Sequence, residues 1–169
     1  MADPGLCYTG SLPLQWRPLA EDNDMAVDRE ALLLLTAINR MEAGHETESM
    51  GEQHRLERLE AKLDLALYLV ARGLQPGPAP APVTVRLSPA GIDWQEAQPP
   101  PAGACLLMEL WLSNVLPLPL RLRAVARGQV TGWAQAAFPH LPEALTEALY
   151  QLIFRRHRQA IRSRQASAT

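Results

Sequence analysis

The hydrophobic positions change period twice along the chain, from two to three-and-four and back to two. In SLPLQWRPL, Ser11 to Leu19, Leu12, Leu14 and Trp16 alternate with other residues. This predicts a short strand, and Pro13 and Pro18, which lack an N–H, assign it to an edge. Glu21, Asp22, Asn23 and Asp24 then supply capping side chains and negative charge suited to a helix start. From about Val27 the apolar residues Ala31, Leu34, Ile38 and Met41 fall three and four apart, with Leu32, Leu33 and Leu35 broadening the stripe. Between Glu42 and Gln53 the pattern fails at Gly44, Gly51 and several polar residues. A loop between two helices is expected there; a single helix with a weak middle is the other reading. A second helix is predicted from about Glu52 to Arg72, with a seam of Leu56, Leu59, Leu63, Leu67, Val70 and Leu74 closed by Gly73 and Pro76.

PGPAPAP, Pro76 to Pro82, reads as a stiff connector of polyproline type. After it Val83, Val85 and Leu87 alternate with Thr84, Arg86 and Ser88. Leu106, Met108, Leu110 and Leu112 give one face of another strand, and Leu116, Leu118, Leu120 and Leu122 that of a third. A fourth candidate runs from Gln129 to Phe138. Short strands at this spacing predict an antiparallel sheet or small barrel. Pro142 opens a last helix, where its missing N–H costs no hydrogen bond, with a core stripe of Leu145, Leu149, Leu152 and Ile153. The fold class is therefore α+β.

The second helix carries its charges in two rows. Arg55, Arg58 and Lys62 flank one side of the seam; Glu57, Glu60 and Asp64 flank the other. With Leu56 at heptad position a and Leu59 at d, parallel in-register helices set Arg55 opposite a partner's Glu60. The seam widens beyond Asp64 through Leu65, Ala66, Leu67, Leu69 and Val70, which calls for contact with further helices or with the sheet. A coiled-coil-like homo-oligomer is expected; a hairpin of the two helices folded onto their own domain is the competing reading.

Composition narrows the function classes. At 169 residues, 47% hydrophobic and 20% charged, the chain can close its own core without disulfide or metal. A net charge of −2 gives no global attraction to nucleic acid. Cys7 and Cys105 form no CxxC, which suits a reducing compartment, and neither a leader pattern nor an apolar run of about 18 residues is visible. A cytoplasmic protein without a membrane span is expected. His45, Glu46, Glu48, Glu52 and His54 do not make HExxH, because position 49 is serine, and they read as solvated polar residues. Ser88 lies outside any GxSxG elbow, neither His140 nor His157 has a claim on it, and no glycine-rich phosphate loop occurs. Glu109, between apolar neighbours on a strand, is expected to face outward. No catalytic residue and no metal ligand is assigned. RRHRQAIRSR, Arg155 to Arg164, reads as the solvated face of a helix, with nucleic-acid binding as a lesser alternative.

RLSPAGIDW, Arg86 to Trp94, resembles the PilZ signature Asp/Asn-x-Ser-x-x-Gly, which sits at a turn between barrel strands. Ser88 and Gly91 match, and Arg86 stands where that family has Asp or Asn. Gly103 before ACLLMELWLS, then QVTGWAQAAF and the closing helix YQLIFRRHRQAIR continue the likeness over roughly residues 83–160. The resemblance implies a small PilZ-like β-barrel, with residues 1–20 contributing a strand to it. Residues 21–75 would be an inserted helical oligomerisation segment, 76–82 a linker, and 83–169 the barrel with its C-terminal helix. It also implies a link to cyclic di-GMP, held in the family by an Arg-x-x-x-Arg pair before the first strand and by the signature turn. Two arginines can grip phosphates and stack on guanines. Here DPGLCYTG, Asp3 to Gly10, contains no arginine. The long helices resemble the atypical, tetrameric PilZ subgroup, whose ligand motifs are degenerate. That implies a non-enzymatic signalling or scaffold protein, a tetramer or dimer, with an unknown protein partner. A cyclic di-GMP receptor with a rearranged site, using Arg86, Ser88 and Gly91 with Arg17 or Arg121, is the alternative.

Overall fold

The computed structural model describes residues 6–19, 24–46, 55–56, 59–63, 65–66, 78–113, 116, 118–139 and 141–166. Among the described residues six strands run β1 Tyr8–Pro18, β2 Pro82–Ser88, β3 Gly91–Gln95, β4 Cys105–Leu110, β5 Leu120–Val130 and β6 Trp133–Ala137. Helix α1, Asp24–Glu46, follows β1, and helix α2, Glu143–Ala166, ends the fold. Every pairing is antiparallel, and the order β1-β2-β3-β6-β5-β4 closes into a barrel. Alternation fills its interior: Leu12, Leu14, Val85, Leu87, Ile92, Trp94, Leu106, Met108, Leu110, Leu120 and Leu122 are all buried.

Closure revises the edge position expected for β1. Its first half, Tyr8 to Pro13, pairs with β2, and its second half, Leu14 to Pro18, pairs with β4. Each half therefore keeps one open side inside a closed barrel. The Leu19 N–H donates to the Cys105 carbonyl at 3.0 Å and the Trp111 N–H to the Pro13 carbonyl at 3.1 Å. Odd-numbered residues of β1 thus turn their backbone groups toward β4 and even-numbered ones turn away. Pro18 lacks its N–H where no strand asks for one, and Pro13 uses only its carbonyl.

Other departures from the sequence reading have local causes. The strand expected from Leu116 begins at Leu120, because Pro119 cannot donate to a ladder; the Leu118 N–H instead turns back to the Leu116 carbonyl at 2.8 Å. β4 ends at Leu110, two residues short of the expected face. The stretch Gln129 to Phe138 is not one strand but the end of β5, a two-residue turn and β6. Thr131 and Gly132 both have positive φ, 48° and 81°, the signature of a type I′ hairpin. β3 follows the signature turn directly, where short-range alternation marks no separate strand.

Helices α1 and α2 share one core with the barrel. Ala31, Leu34, Leu35, Ile38 and Met41 of α1 meet Leu145, Leu149, Leu152 and Ile153 of α2 and the barrel residues in a single cluster. Asn39 donates to the Ala148 carbonyl at 2.8 Å, and Arg155 to the Asn39 carbonyl at 2.9 Å. Arg123 grips Asp28 with two bonds of 2.6 and 3.2 Å. α1 runs on to Glu46, through residues 42–46 of the expected loop. Glu42 is held by Arg156 at 2.8 Å, so a tertiary ion pair keeps that turn helical after apolar periodicity has lapsed. Residues 47–54, the rest of the expected loop, lie outside the described residues.

Thr131 is β-branched at a left-handed position that asparagine occupies at lower cost. Thr131→Asn should therefore raise stability by about 1 kcal/mol, read as the shift in chemical-denaturation midpoint.

Candidate functional site

The signature turn is the hairpin joining β2 to β3. Pro89 presets φ at its first turn position, and the Ser88 hydroxyl donates to the Gly91 carbonyl at 3.1 Å. Gly91 lies against β6: a Cβ there would run into the Ala136 carbonyl, so only glycine admits the close approach. Arg86 pairs across the ladder with Asp93, and its guanidinium sits 4.1 Å from the centroid of the Trp133 ring on β6. Ser88 and Gly91 thus meet at the turn, whereas the Arg86 guanidinium is carried away from them onto Trp133, which pairs with Gln95 while Gly91 pairs with Ala137 at the other end of β6. Arg121 lies on the opposite wall, on β5, paired with Glu109 at 2.9 Å and Glu30 at 3.5 Å, and does not converge with Arg86. Arg17 is exposed on β1.

At the open end of β2 and β3, away from the signature turn, lies a cleft of about 530 Å³ lined by Ser11, Val83, Thr84, Glu96, Trp133 and neighbouring residues. Glu96 accepts bonds from the Trp16 indole at 3.1 Å, the Trp94 indole at 3.4 Å and the Gln98 N–H at 3.1 Å. Burial alone would raise its carboxyl, but these donors outweigh burial and hold it below its ordinary value. Glu109 points out of the barrel as expected, yet it is buried, at 6% exposure. Burial again pushes its carboxyl up; the Gln15 and Arg121 hydrogen bonds and the charges of Arg121 and Arg17 prevail and lower it. Nothing in the strand's apolar neighbours announced either carboxylate network.

Among the described residues, 55, 56, 59–63, 65 and 66 are helical. Leu56, Leu59 and Leu63 are 57%, 54% and 59% exposed, whereas Ala61 and Leu65, on the opposite side of the helix, are 7% and 5% exposed. Leu65 belongs to the core cluster. One face therefore packs on its own chain and the leucine face points away. Leu67, Val70 and Leu74 of the expected seam lie outside the described residues, as do Glu48, Glu52, His54 and His140. Of the basic end, Arg155 and Arg156 are half-buried and engaged with Glu42 rather than solvated. No metal-binding group of His, Cys, Asp or Glu occurs among the described residues, and no described helix is long and apolar enough to cross a membrane.

The family model described as atypical PilZ domain, cyclic di-GMP receptor, matches residues 32–165. The chain belongs to the atypical PilZ family. The match takes in most of α1, β2 to β6 and nearly all of α2, while β1 lies before it although it completes the barrel. A solved structure from Xanthomonas campestris is similar, with 28% identity and a TM-score of 0.72 over 92% of this chain and 90% of that one. That pathogenic protein is described as a new tetrameric PilZ domain self-assembled via an unusual helical bundle. No curated protein matches the chain.

In this atypical PilZ domain the Glu109 network sets an acid-side limit. Its folded carboxyl titrates below 4.5, the ordinary value, so its contribution is complete above 4.5 and is lost as pH falls through the lower folded value. Glu109→Gln should flatten stability against pH in that acid window, measured by denaturant unfolding at several pH values, and change its slope little near neutrality.

Proposed function

We propose that this chain is a non-enzymatic, oligomeric regulatory or scaffold protein in cyclic di-GMP-linked bacterial signalling, working in the cytoplasm by binding other proteins. The observation that carries the assembly is the leucine face: three large apolar side chains, each more than half exposed, on a helix whose other face is buried in its own core. Leucines in register on one helix face, exposed while their helix is anchored, are what a second copy would cover. The similarity to a protein described as self-assembled via a helical bundle supports the same reading. The protein-binding role is supported by the state of the signature turn. Ser88 and Gly91 close a hairpin, Arg86 lies on Trp133, and no described arginine precedes β1.

A second reading, a cyclic di-GMP receptor with a rearranged site, draws support from the family's description and from the cleft beside Trp133. Arg86 would then leave the indole to meet a phosphate or a guanine.

Light scattering should give a mass several times the 18.6 kDa of one chain, and Leu63→Glu should reduce it toward that value. A wild-type mass of 18.6 kDa would end the assembly reading. Calorimetry with cyclic di-GMP should show no heat of binding; micromolar binding abolished by Arg86→Ala would instead establish the receptor.

A further inference from the structure

On the other side of β1 lies a cleft of about 670 Å³, away from the signature hairpin. It is walled by Tyr8, Ser11 and Pro13 of β1, by Glu42 of α1, by Trp111 just past β4 and by Arg156 of α2. One buried polar atom in its wall, the indole N–H of Trp111, has no partner; Oε2 of Glu42 makes no hydrogen bond but lies 3.9 Å from the Arg155 guanidinium. Trp111 is 7% exposed, so its N–H has lost water without gaining an acceptor. A buried donor left in this state costs about 1–3 kcal/mol.

The strand beside it has open backbone groups as well. The two-residue turn makes Ser88 and Gly91 the hydrogen-bonded pair of β2 and β3, so Val83, Val85 and Leu87 turn their backbone groups to β1. Their partners Leu12, Gly10 and Tyr8 face β2, and Thr9 and Ser11 face the other way. β4 would lie on that side if it continued past Leu110, but it stops there. At the two ends of the gap the open side is satisfied: Trp111 N–H donates to the Pro13 carbonyl at 3.1 Å, and the His157 ring meets the Cys7 carbonyl at 3.2 Å. Between them, no hydrogen bond among the described residues reaches the open-side groups of Thr9 or Ser11. The gap from Cys7 to Pro13 spans about 20 Å of extended chain.

We propose that the cleft is a peptide-docking site: an extended, uncharged segment of a partner protein adds beside Ser11 and satisfies the Trp111 indole N–H. The chemistry selects a peptide backbone. It alternates carbonyls, which the Ser11 N–H and the indole N–H need, with N–H groups, which the Ser11 carbonyl needs. An anionic ligand is disfavoured, because Arg156 already holds Glu42 at 2.8 Å and the Leu112 carbonyl. Leu12, Ile38, Met41 and Leu112 supply an apolar floor for one or two small side chains of the segment. The inference deepens the partner-binding reading above and rests on it.

The test is to pan a phage-displayed library of short random peptides against the full chain. Selected peptides should move the Trp111 indole N–H and Ser11 amide resonances. They should bind about tenfold more weakly to Ser11→Pro, which deletes one open-side donor without touching the β2 ladder, and to Trp111→Phe. If no sequence enriches, or if enriched peptides bind both variants as they bind the wild type, the docking site does not exist. Leu63→Glu separates the two readings: it should leave peptide affinity unchanged, whereas an unaltered mass in that variant counts against assembly alone.

Discussion

The shared core that locks α1 and α2 to the barrel is the constraint from which the other features follow. Asp28 on Arg123, Asn39 between Ala148 and Arg155, and Glu42 on Arg156 pin α1 along its length. Breaking a half-buried pair of this kind leaves a charge without its partner, a far larger penalty than an exposed pair carries. With α1 fixed and Ala61 and Leu65 buried, the described helical residues 59–63, 65 and 66 are no longer free to rotate. Leu59 and Leu63 are then forced outward. Their exposure is a consequence of packing elsewhere.

The same core explains why the barrel can leave β1 half-paired. A strand with an open edge invites uncontrolled pairing, which proteins suppress by covering the edge or placing proline in it. Here Pro13 and Pro18 sit where the partner changes or is absent, and α2 reaches the lower end through His157 and Cys7. What remains open is short and walled by helices. Such an opening admits one extended chain and excludes a sheet.

Legibility followed the physics of each signal. Periodicity was read well where one face meets one core: the α2 stripe of Leu145, Leu149, Leu152 and Ile153 and the inward leucines of β4 lie where alternation put them. It misled where backbone chemistry outranked side-chain pattern, as at Leu116 to Leu120, whose alternating leucines are defeated by the prolines between them. It stopped α1 short because Glu42 is held by an arginine more than a hundred residues away, which no local window contains. At the signature turn, Ser88 and Gly91 were visible as a motif, but their partners Gly91 and Ala136 and the indole under Arg86 were not. The Trp111 cleft was invisible, since an unpartnered indole N–H is a property of the fold.

The outward leucine face, on the assembly proposed above, lies against the same face of another copy. Lys62 is exposed beside it and carries none of the core. A spin label on Lys62→Cys, with Cys7 and Cys105 replaced by serine, reports that proximity by pulsed dipolar spectroscopy. Helices packed with axes about 8–10 Å apart should give a defined dipolar modulation between subunits. A decay with no modulation, at concentrations where the chain is fully folded, would contradict the account.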